Sequence, residues 1–135
     1  MKIILVSHGT YAQALMDTAK MIIGPFEDTV VYGIQPEEDL TLFEEQIAAE
    51  LEESKEKKEE VIVFTDIFFG TPFNTVTKLM SSYSIKHFAG INMPILLEVL
   101  TSKDTMEADQ LCEYINEIKE RAFVNVNECI ADLDE

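Results

Sequence analysis

The chain has 135 residues, which suits one domain, and 47% of them are hydrophobic, enough for a core without disulfide or metal crosslinks. Its formal net charge of −16 argues against nucleic acid and a bare anionic membrane as partners, since both would repel it. The apolar run over residues 3–6 is too short for a secretory signal or a membrane span, so we expect a cytoplasmic protein. Cys112 and Cys129 lack metal-ligand spacing, and we predict neither a metal site nor a cofactor.

Short apolar stretches alternate with amphipathic ones along the whole chain. Strands are predicted over residues 2–6, 29–34, 61–65 and 85–89, with a fifth over 123–126. Helices are predicted over residues 12–23, 40–51, 71–80, 92–100 and 106–122, and the acidic tail 132–135 is expected to fray. The alternation predicts a single α/β domain over residues 1–135, with a doubly wound, mainly parallel sheet and helices on both faces.

The residues that follow strands one and three carry the chemistry that we predict. His8 comes just after the first strand, and Asp66 comes just after the third. Ligand sites in doubly wound sheets lie beyond the carboxyl ends of the strands, where strand order reverses, so the two side chains should share one edge. A carboxylate beside an imidazole fixes its tautomer and leaves the other ring nitrogen free as a nucleophile. His87 has no acidic partner nearby in sequence, and we interpret it as structural.

Two helix starts beside this pair predict a place for an anion. One helix begins near Tyr11, and another begins at Thr71, where a threonine cap precedes Pro72. Helix N-termini direct backbone N–H groups and a partial positive charge at phosphate. Phosphate binding is therefore predicted for the polar and glycine residues of the two loops: Ser7, Gly9, Thr10, Gly70, Thr71 and Asn74.

Apolar side chains beside the proposed site predict a surface for a protein partner. Phe68 and Phe69 are adjacent in the loop after the third strand, and Met93 and Ile95 flank a proline in a loop at the same edge. We expect one member of each pair to point into the core. The others would form a docking patch around His8, with Phe68, Phe69 and Met93 as the candidates.

Three other classes of protein fit parts of this pattern. A response-regulator receiver domain also has an Asp after its third strand, but it needs an acidic pair after the first, where Ser7 and His8 stand. A flavodoxin-like cofactor binder needs a longer phosphate loop than residues 7–10 provide, without an imidazole in it. A small hydrolase with His8 and Asp66 as an acid/base pair stays open on chemical grounds, although the sequence shows no Ser, Cys or metal cluster for it.

Three segments, in order, carry a family resemblance. They are the sequence SHG at 7–9, TDIFFGTPFN at 65–74 and AGINMPIL at 89–96. The second is similar to a family segment that reads Asp, two variable residues, then Gly-Gly-Ser-Pro-Phe-Asn, and the third to Ala-Gly-Val-Asn-Ile-Pro. Over essentially its whole length the chain resembles the enzyme IIA domains of the mannose-type sugar phosphotransferase system. It departs at Phe69, which replaces the first of the paired glycines, and at Thr71, which replaces serine.

The resemblance implies a phosphocarrier. His8 would accept a phosphoryl group on Nε2 from the phosphohistidine of the general phosphocarrier protein, while Asp66 holds Nδ1. The group would pass to enzyme IIB, expected as a separate protein, and membrane transport subunits would use it indirectly. The family also implies a homodimer that exchanges its C-terminal strand, near residues 123–126. The phosphoryl-transfer subunit of dihydroxyacetone kinase is the alternative, which the Pro-Phe-Asn sequence at 72–74 disfavours.

Overall fold

Four parallel strands form the centre of the computed structural model, which describes residues 1–134. They are β1 (Lys2–His8), β2 (Thr29–Ile34), β3 (Val61–Thr65) and β4 (Lys86–Ala89), arranged in the order β2-β1-β3-β4. The four predicted strands are confirmed, with β1 extended to include His8 itself. Because both edges of the sheet are taken by β2 and β4, β1 and β3 lie side by side at its centre.

Helices connect the strands and continue beyond the last one. They are α1 (Tyr11–Ile23), α2 (Leu40–Glu56), α3 (Gly70–Leu79), α4 (Met93–Ser102), α5 (Ala108–Ile118), a 3-10 helix (Lys119–Ala122) and α6 (Val126–Leu133). Side-chain caps fix several of the starts. The Asp39 carboxylate accepts from two backbone N–H groups of α2, and the Asn92 side chain accepts from Ile95 N of α4. No helix within residues 1–134 combines the length and apolar character that crossing a bilayer requires.

The two faces of the sheet carry two separate hydrophobic clusters. Successive side chains of a strand point to opposite faces, so Ile3 and Leu5 join the cluster packed under α1, α4 and α5. Ile4 and Val6 join the cluster under α2 and α3. All four are fully buried, which accounts for the uninterrupted apolar run. Helices on both faces of a parallel sheet confirm the doubly wound fold.

The predicted fifth strand over residues 123–126 is wrong for the chain as described. Phe123 is 98% exposed, and Val126 begins α6 instead of extending a strand. The Asn125 side chain accepts from Glu128 N and caps this helix, a signal that the short alternating pattern concealed. The tail expected to fray is helical through Leu133, and Glu135 lies outside the described residues. Exchange of this segment with a second copy stays a prediction.

Candidate functional site

The carboxyl ends of β1 and β3 bring two polar residues together at one edge of the sheet. The strands pair in parallel up to Val6 opposite Thr65, so each chain leaves the sheet beside the other. Strand order reverses at β1, since β2 lies on one side of it and β3 on the other. His8 and Asp66 therefore meet at the switch point, as the sequence predicts.

One carboxylate oxygen holds His8 in two ways. Asp66 Oδ2 accepts from the backbone N–H of His8 at 2.9 Å and lies 2.8 Å from Nδ1 of its ring. The other oxygen, Oδ1, accepts from Ile67 N at 3.0 Å. Since a carboxylate is an acceptor, the neutral ring carries its proton on Nδ1 and keeps a lone pair on Nε2. The His8 side chain is 49% exposed and that of Asp66 only 9%, so the ring is reachable while its orienting group is shielded.

Ser7 holds the histidine loop from beneath. Its side chain is fully buried, and its hydroxyl donates to His8 O at 3.0 Å and accepts from Ala12 N at 2.9 Å. The hydroxyl thus occupies one of the free N–H groups at the start of α1. The prediction that Ser7 binds phosphate does not agree with this placement, because a buried hydroxyl with both bonds internal supports the loop from inside.

Two glycines shape the loop on the side of β2. Gly9 has φ +51°, a left-handed conformation that favours glycine, and its N–H donates to Ile34 O at 2.7 Å. Gly33 on β2 faces this turn, and a Cβ built there would collide with the carbonyl oxygen of Gly9. The turn after His8 therefore depends on a glycine in a neighbouring strand as well as on its own.

Gly70 lies directly against the imidazole ring. Its φ is +88°, and an added Cβ would stand 2.9 Å from His8 Cε1 and 3.1 Å from Nε2. Gly70 is the first residue of α3, so the N-terminus of that helix lies beside the free ring nitrogen. Phe69, which replaces a family glycine, has φ −171°, extended backbone that any residue adopts. The departure at Phe69 leaves the close backbone approach intact.

The other predicted phosphate-binding residues differ in their surroundings. Thr10 is exposed and caps α1 through its backbone only, so its hydroxyl makes no capping bond. The prediction that Thr71 caps α3 is wrong, because the cap position is Phe69, two residues earlier, and the helix begins at Gly70. Thr71 is half-buried, and it lines an open groove between α2 and α3 together with Asn74, Thr41 and Lys78.

Exposed aromatic rings flank the site. Phe68 is 77% exposed and Phe69 69%, so the expectation that one of them points into the core is wrong. The loop leaves both rings outside, with Phe68 resting edge-on against Phe73 at 5.0 Å between ring centres. Ile95 is buried and Met93 half-buried, which matches the expectation for that pair.

His87 lies in β4 and forms no part of the His8–Asp66 pair. Its Nε2 is 2.9 Å from Thr65 Oγ1, and its ring lies 5.4 Å from that of Phe73. Burial lowers the pKa of His87, because a charged ring would lose its hydration there. These contacts agree with the interpretation of His87 as structural.

Tyr11 is the residue that sequence reasoning missed. Its hydroxyl donates to Ile91 O at 2.7 Å, and its ring is 43% exposed. Burial raises the pKa of Tyr11, and the nearby charge of Asp66 raises it further. Its position at the start of a helix just after the histidine loop was the available signal. Within residues 1–134, no three His, Cys, Asp or Glu side chains are grouped to hold a metal ion.

Comparison with known proteins gives the same picture from sequence and from structure. The family model for the fructose IIA component of the phosphotransferase system matches residues 2–116. A sorbose-specific EIIA component from Lacticaseibacillus casei is 30% identical over 129 residues, 95% of this chain and 92% of that protein. A fructose-specific EIIA component from Bacillus subtilis is 27% identical over 122 residues, 90% of this chain and 83% of that protein.

Solved structures of such components share the fold. The phosphotransferase system component EIIA from Streptococcus agalactiae superposes with a TM-score of 0.85 at 26% identity, covering 95% of this chain and 98% of that one. The mannose/sorbose-specific IIA subunit from Enterococcus faecalis gives a TM-score of 0.81 at 28% identity, with 92% of each chain covered. The chain belongs to the mannose-type family of enzyme IIA components of the sugar phosphotransferase system.

Proposed function

We propose that this protein is a phosphocarrier in which His8 takes a phosphoryl group from the phosphohistidine of the general phosphocarrier protein and gives it to enzyme IIB. The observation that carries the proposal is the half-exposed imidazole whose Nδ1 lies 2.8 Å from a shielded carboxylate. Such an arrangement leaves one ring nitrogen both nucleophilic and open to a second protein. The membrane transport subunits, which select the sugar, would depend on this relay indirectly.

The chemistry needs positioning more than reactive groups. The Nε2 lone pair of His8 attacks phosphorus in line, and the N–P bond to the donor histidine breaks with its electron pair returning to that ring. The His8 ring gains positive charge as the new N–P bond forms. Asp66 accepts the hydrogen bond from Nδ1–H and so stabilises this charge. The same steps in reverse order pass the phosphoryl group to enzyme IIB.

The chain as a whole carries a net charge of −16, which repels an anionic phosphoryl group. Neutral and partially positive groups close to His8 would therefore hold the phosphate oxygens. The start of α3 at Gly70 stands beside Nε2 and offers unpaired N–H groups. The Thr10 hydroxyl, which makes no capping bond, and the backbone of Gly9 are the other candidates for phosphate contacts close to His8. Thr71 and Asn74, in the α2–α3 groove, are candidates for contacts at its margin.

The aromatic pair beside the site suits partner docking. Phe68 and Phe69 stand in the loop that follows Asp66 and expose most of their surface. Exposed aromatic rings at the centre of an interface contribute strongly to binding. Both partners would use this surface in turn, since each must reach the same nitrogen of His8. Met93, half-buried at the start of α4, would lie at its edge.

Radioactive phosphoenolpyruvate, enzyme I and the general phosphocarrier protein test the proposal. The wild-type protein should acquire an acid-labile, base-stable label, and His8→Ala should acquire none. The chain has two histidines, so His87→Gln is the matched control and should label fully. Label on His8→Ala would contradict the proposal, and so would its loss from His87→Gln alone.

Asp66→Asn tests the second half of the pair. We expect a folded protein whose transfer is slower by about 10- to 100-fold, the range that corresponds to one hydrogen bond to a charged group. Stopped-flow or rapid-quench measurement of label transfer from the phosphocarrier gives the rate. A rate equal to that of the wild type would remove Asp66 from the mechanism.

A further inference from the structure

The His8–Asp66 pair is one link in a closed ring of hydrogen bonds that also includes a third loop. Besides the loops after β1 and β3, the loop after β4 takes part through Gly90 and Ile91. Gly90 N donates to Thr65 O at 2.9 Å, and Ile91 N donates to the same oxygen at 3.1 Å. This fixes the β4 loop to the residue directly before Asp66.

The ring is completed by the hydroxyl of Tyr11. It donates to Ile91 O at 2.7 Å, so the loop after β4 is also joined to the first residue of α1. Tyr11 stands three positions after His8, and that short span is held by the Ser7 hydroxyl and by Gly9. Asp66 Oδ2 and His8 then form the last link.

Tyr11 joins α1 to the β4 loop through its hydroxyl. The residue is 43% exposed and fills no core position. Apart from the Ser7 hydroxyl, which holds the span between His8 and α1, the other links of the ring are backbone bonds or contacts of the pair itself. Tyr11 is thus the side chain through which the ring passes from α1 to the β4 loop. Burial raises the pKa of the Tyr11 hydroxyl, and the nearby charge of Asp66 raises it further.

We propose that Tyr11 is a positioning residue for the His8–Asp66 pair, acting through the bond from its hydroxyl to Ile91 O. Where the bond is present, the loops after β1, β3 and β4 move as one unit, and Nδ1 stays aligned with Oδ2. Where it is absent, the histidine loop is free to shift against Asp66. As a role in phosphoryl transfer, this inference rests on the function proposed above for His8.

Tyr11→Phe removes the hydroxyl and keeps the ring, so it tests the bond alone. Tyr83→Phe is the matched control, because Tyr83 also donates its hydroxyl, to Glu52 at 3.0 Å, and stands after the C-terminus of α3. Nitrogen-15 NMR of the His8 ring gives the ratio of its two neutral tautomers. Rates of label transfer at several phosphocarrier concentrations give kcat and KM.

In Tyr11→Phe we expect the Nε2–H tautomer of His8 to become more populated and kcat to fall about 3- to 10-fold, with KM for the phosphocarrier unchanged. Tyr83→Phe should match the wild type in all three. An unchanged tautomer ratio would overturn the inference, as would an effect on KM alone, which would make Tyr11 a docking contact. If wild-type His8 takes no label, the proposed function fails, while the tautomer ratio still decides whether Tyr11 positions the ring.

Discussion

Asp66 concentrates two tasks in one oxygen atom. Its Oδ2 binds both the backbone N–H and the ring Nδ1 of His8, so it fixes the start of the loop and the ring orientation together. A side chain that held only the ring would leave the loop free to move the ring out of line with the phosphorus atom in the transfer that we propose. Alignment within a fraction of an ångström contributes much of the rate in transfers of this kind.

Gly70→Ala should lower both stability and transfer. The positive φ costs a side-chain-bearing residue about 1–3 kcal/mol, and the added methyl would press on the His8 ring, 2.9 Å from Cε1. Gly24→Ala is the control, because Gly24 has φ +82° with open space around its Cβ position. Urea unfolding should show both variants destabilised, whereas label transfer should fall in Gly70→Ala alone. Equal transfer by the two variants would argue against a close approach at Gly70.

His87 should make stability depend on pH in mildly acidic solution. Burial lowers the pKa of its ring in the folded chain below the ordinary value of 6.5, so the unfolded chain binds the proton first. The contribution of neutral His87 to the free energy of unfolding is therefore fully present above about pH 6.5, and it declines as the pH falls towards the folded pKa. Urea unfolding at pH 7.5 and pH 5 should show a smaller decline for His87→Gln than for the wild type. Parallel declines would assign the pH dependence to carboxylates alone.

Individual residues differed in how far the sequence could reveal them. His8 and Asp66 were predictable because each lies at the carboxyl end of its strand, His8 as the last residue of β1 and Asp66 directly after β3, and the two strands are neighbours. The inward hydroxyl of Ser7 was not, since side-chain direction at a strand end depends on the turn that follows. Tyr11 acts on Ile91, 80 positions further along the chain, and no local pattern encodes that contact.

At the scale of elements, the helix starts differ in how much their capping side chains contribute to stability. Asp39→Ala should destabilise the protein by about 1 kcal/mol, because its carboxylate accepts from Thr41 N and Leu42 N at the start of α2. Thr10→Ala should cost less, since Thr10 occupies the cap position of α1 without a side-chain bond. Thermal or urea unfolding of the two variants makes the comparison. A larger loss in Thr10→Ala would mean that its hydroxyl has a structural partner.

Buried elements followed the sequence closely, and exposed ones did not. The bounds predicted for β3 are confirmed, because this strand is buried throughout and burial selects continuous apolar and β-branched residues. The bounds predicted for β2 are confirmed as well, although only Ile34 of this edge strand is fully buried. The segment after α5 lacks that constraint, and its exposed residues fit a strand or a helix equally well. The choice of helix for α6 depends on the Asn125 cap, which composition alone does not identify.

The whole molecule has a further apolar surface near its C-terminus. Phe123 and the apolar residues after it expose at least half of their side chains, and we call this surface the C-terminal strip: Phe123, Val124, Val126, Ile130 and Leu133. The β4 edge of the sheet also has no strand beside it within residues 1–134. Both features agree with the homodimer that the family resemblance implies, because exposed apolar side chains and open sheet edges favour association.

Ile130→Asp should therefore convert a dimer into a monomer. A charge in the middle of the C-terminal strip would be buried without a partner in any interface that uses the strip. Met21→Asp on α1 is the control, since Met21 is 85% exposed and lies outside the strip. Sedimentation velocity at tens of micromolar protein should give a dimer for the wild type and for Met21→Asp. A monomeric wild type would contradict the prediction.

Gly33 is a position where the structure accepts no side chain, although it belongs to none of the sequence motifs. It lies in β2, opposite Ser7, and the space for its Cβ is occupied by the carbonyl oxygen of Gly9. A saturation-mutagenesis library across β2 should thus tolerate conservative exchanges along the strand and reject every substitution at this one codon. Selection on the loop after His8 would then be detected at a position in the neighbouring strand, and design efforts that transplant the loop must carry this glycine with it.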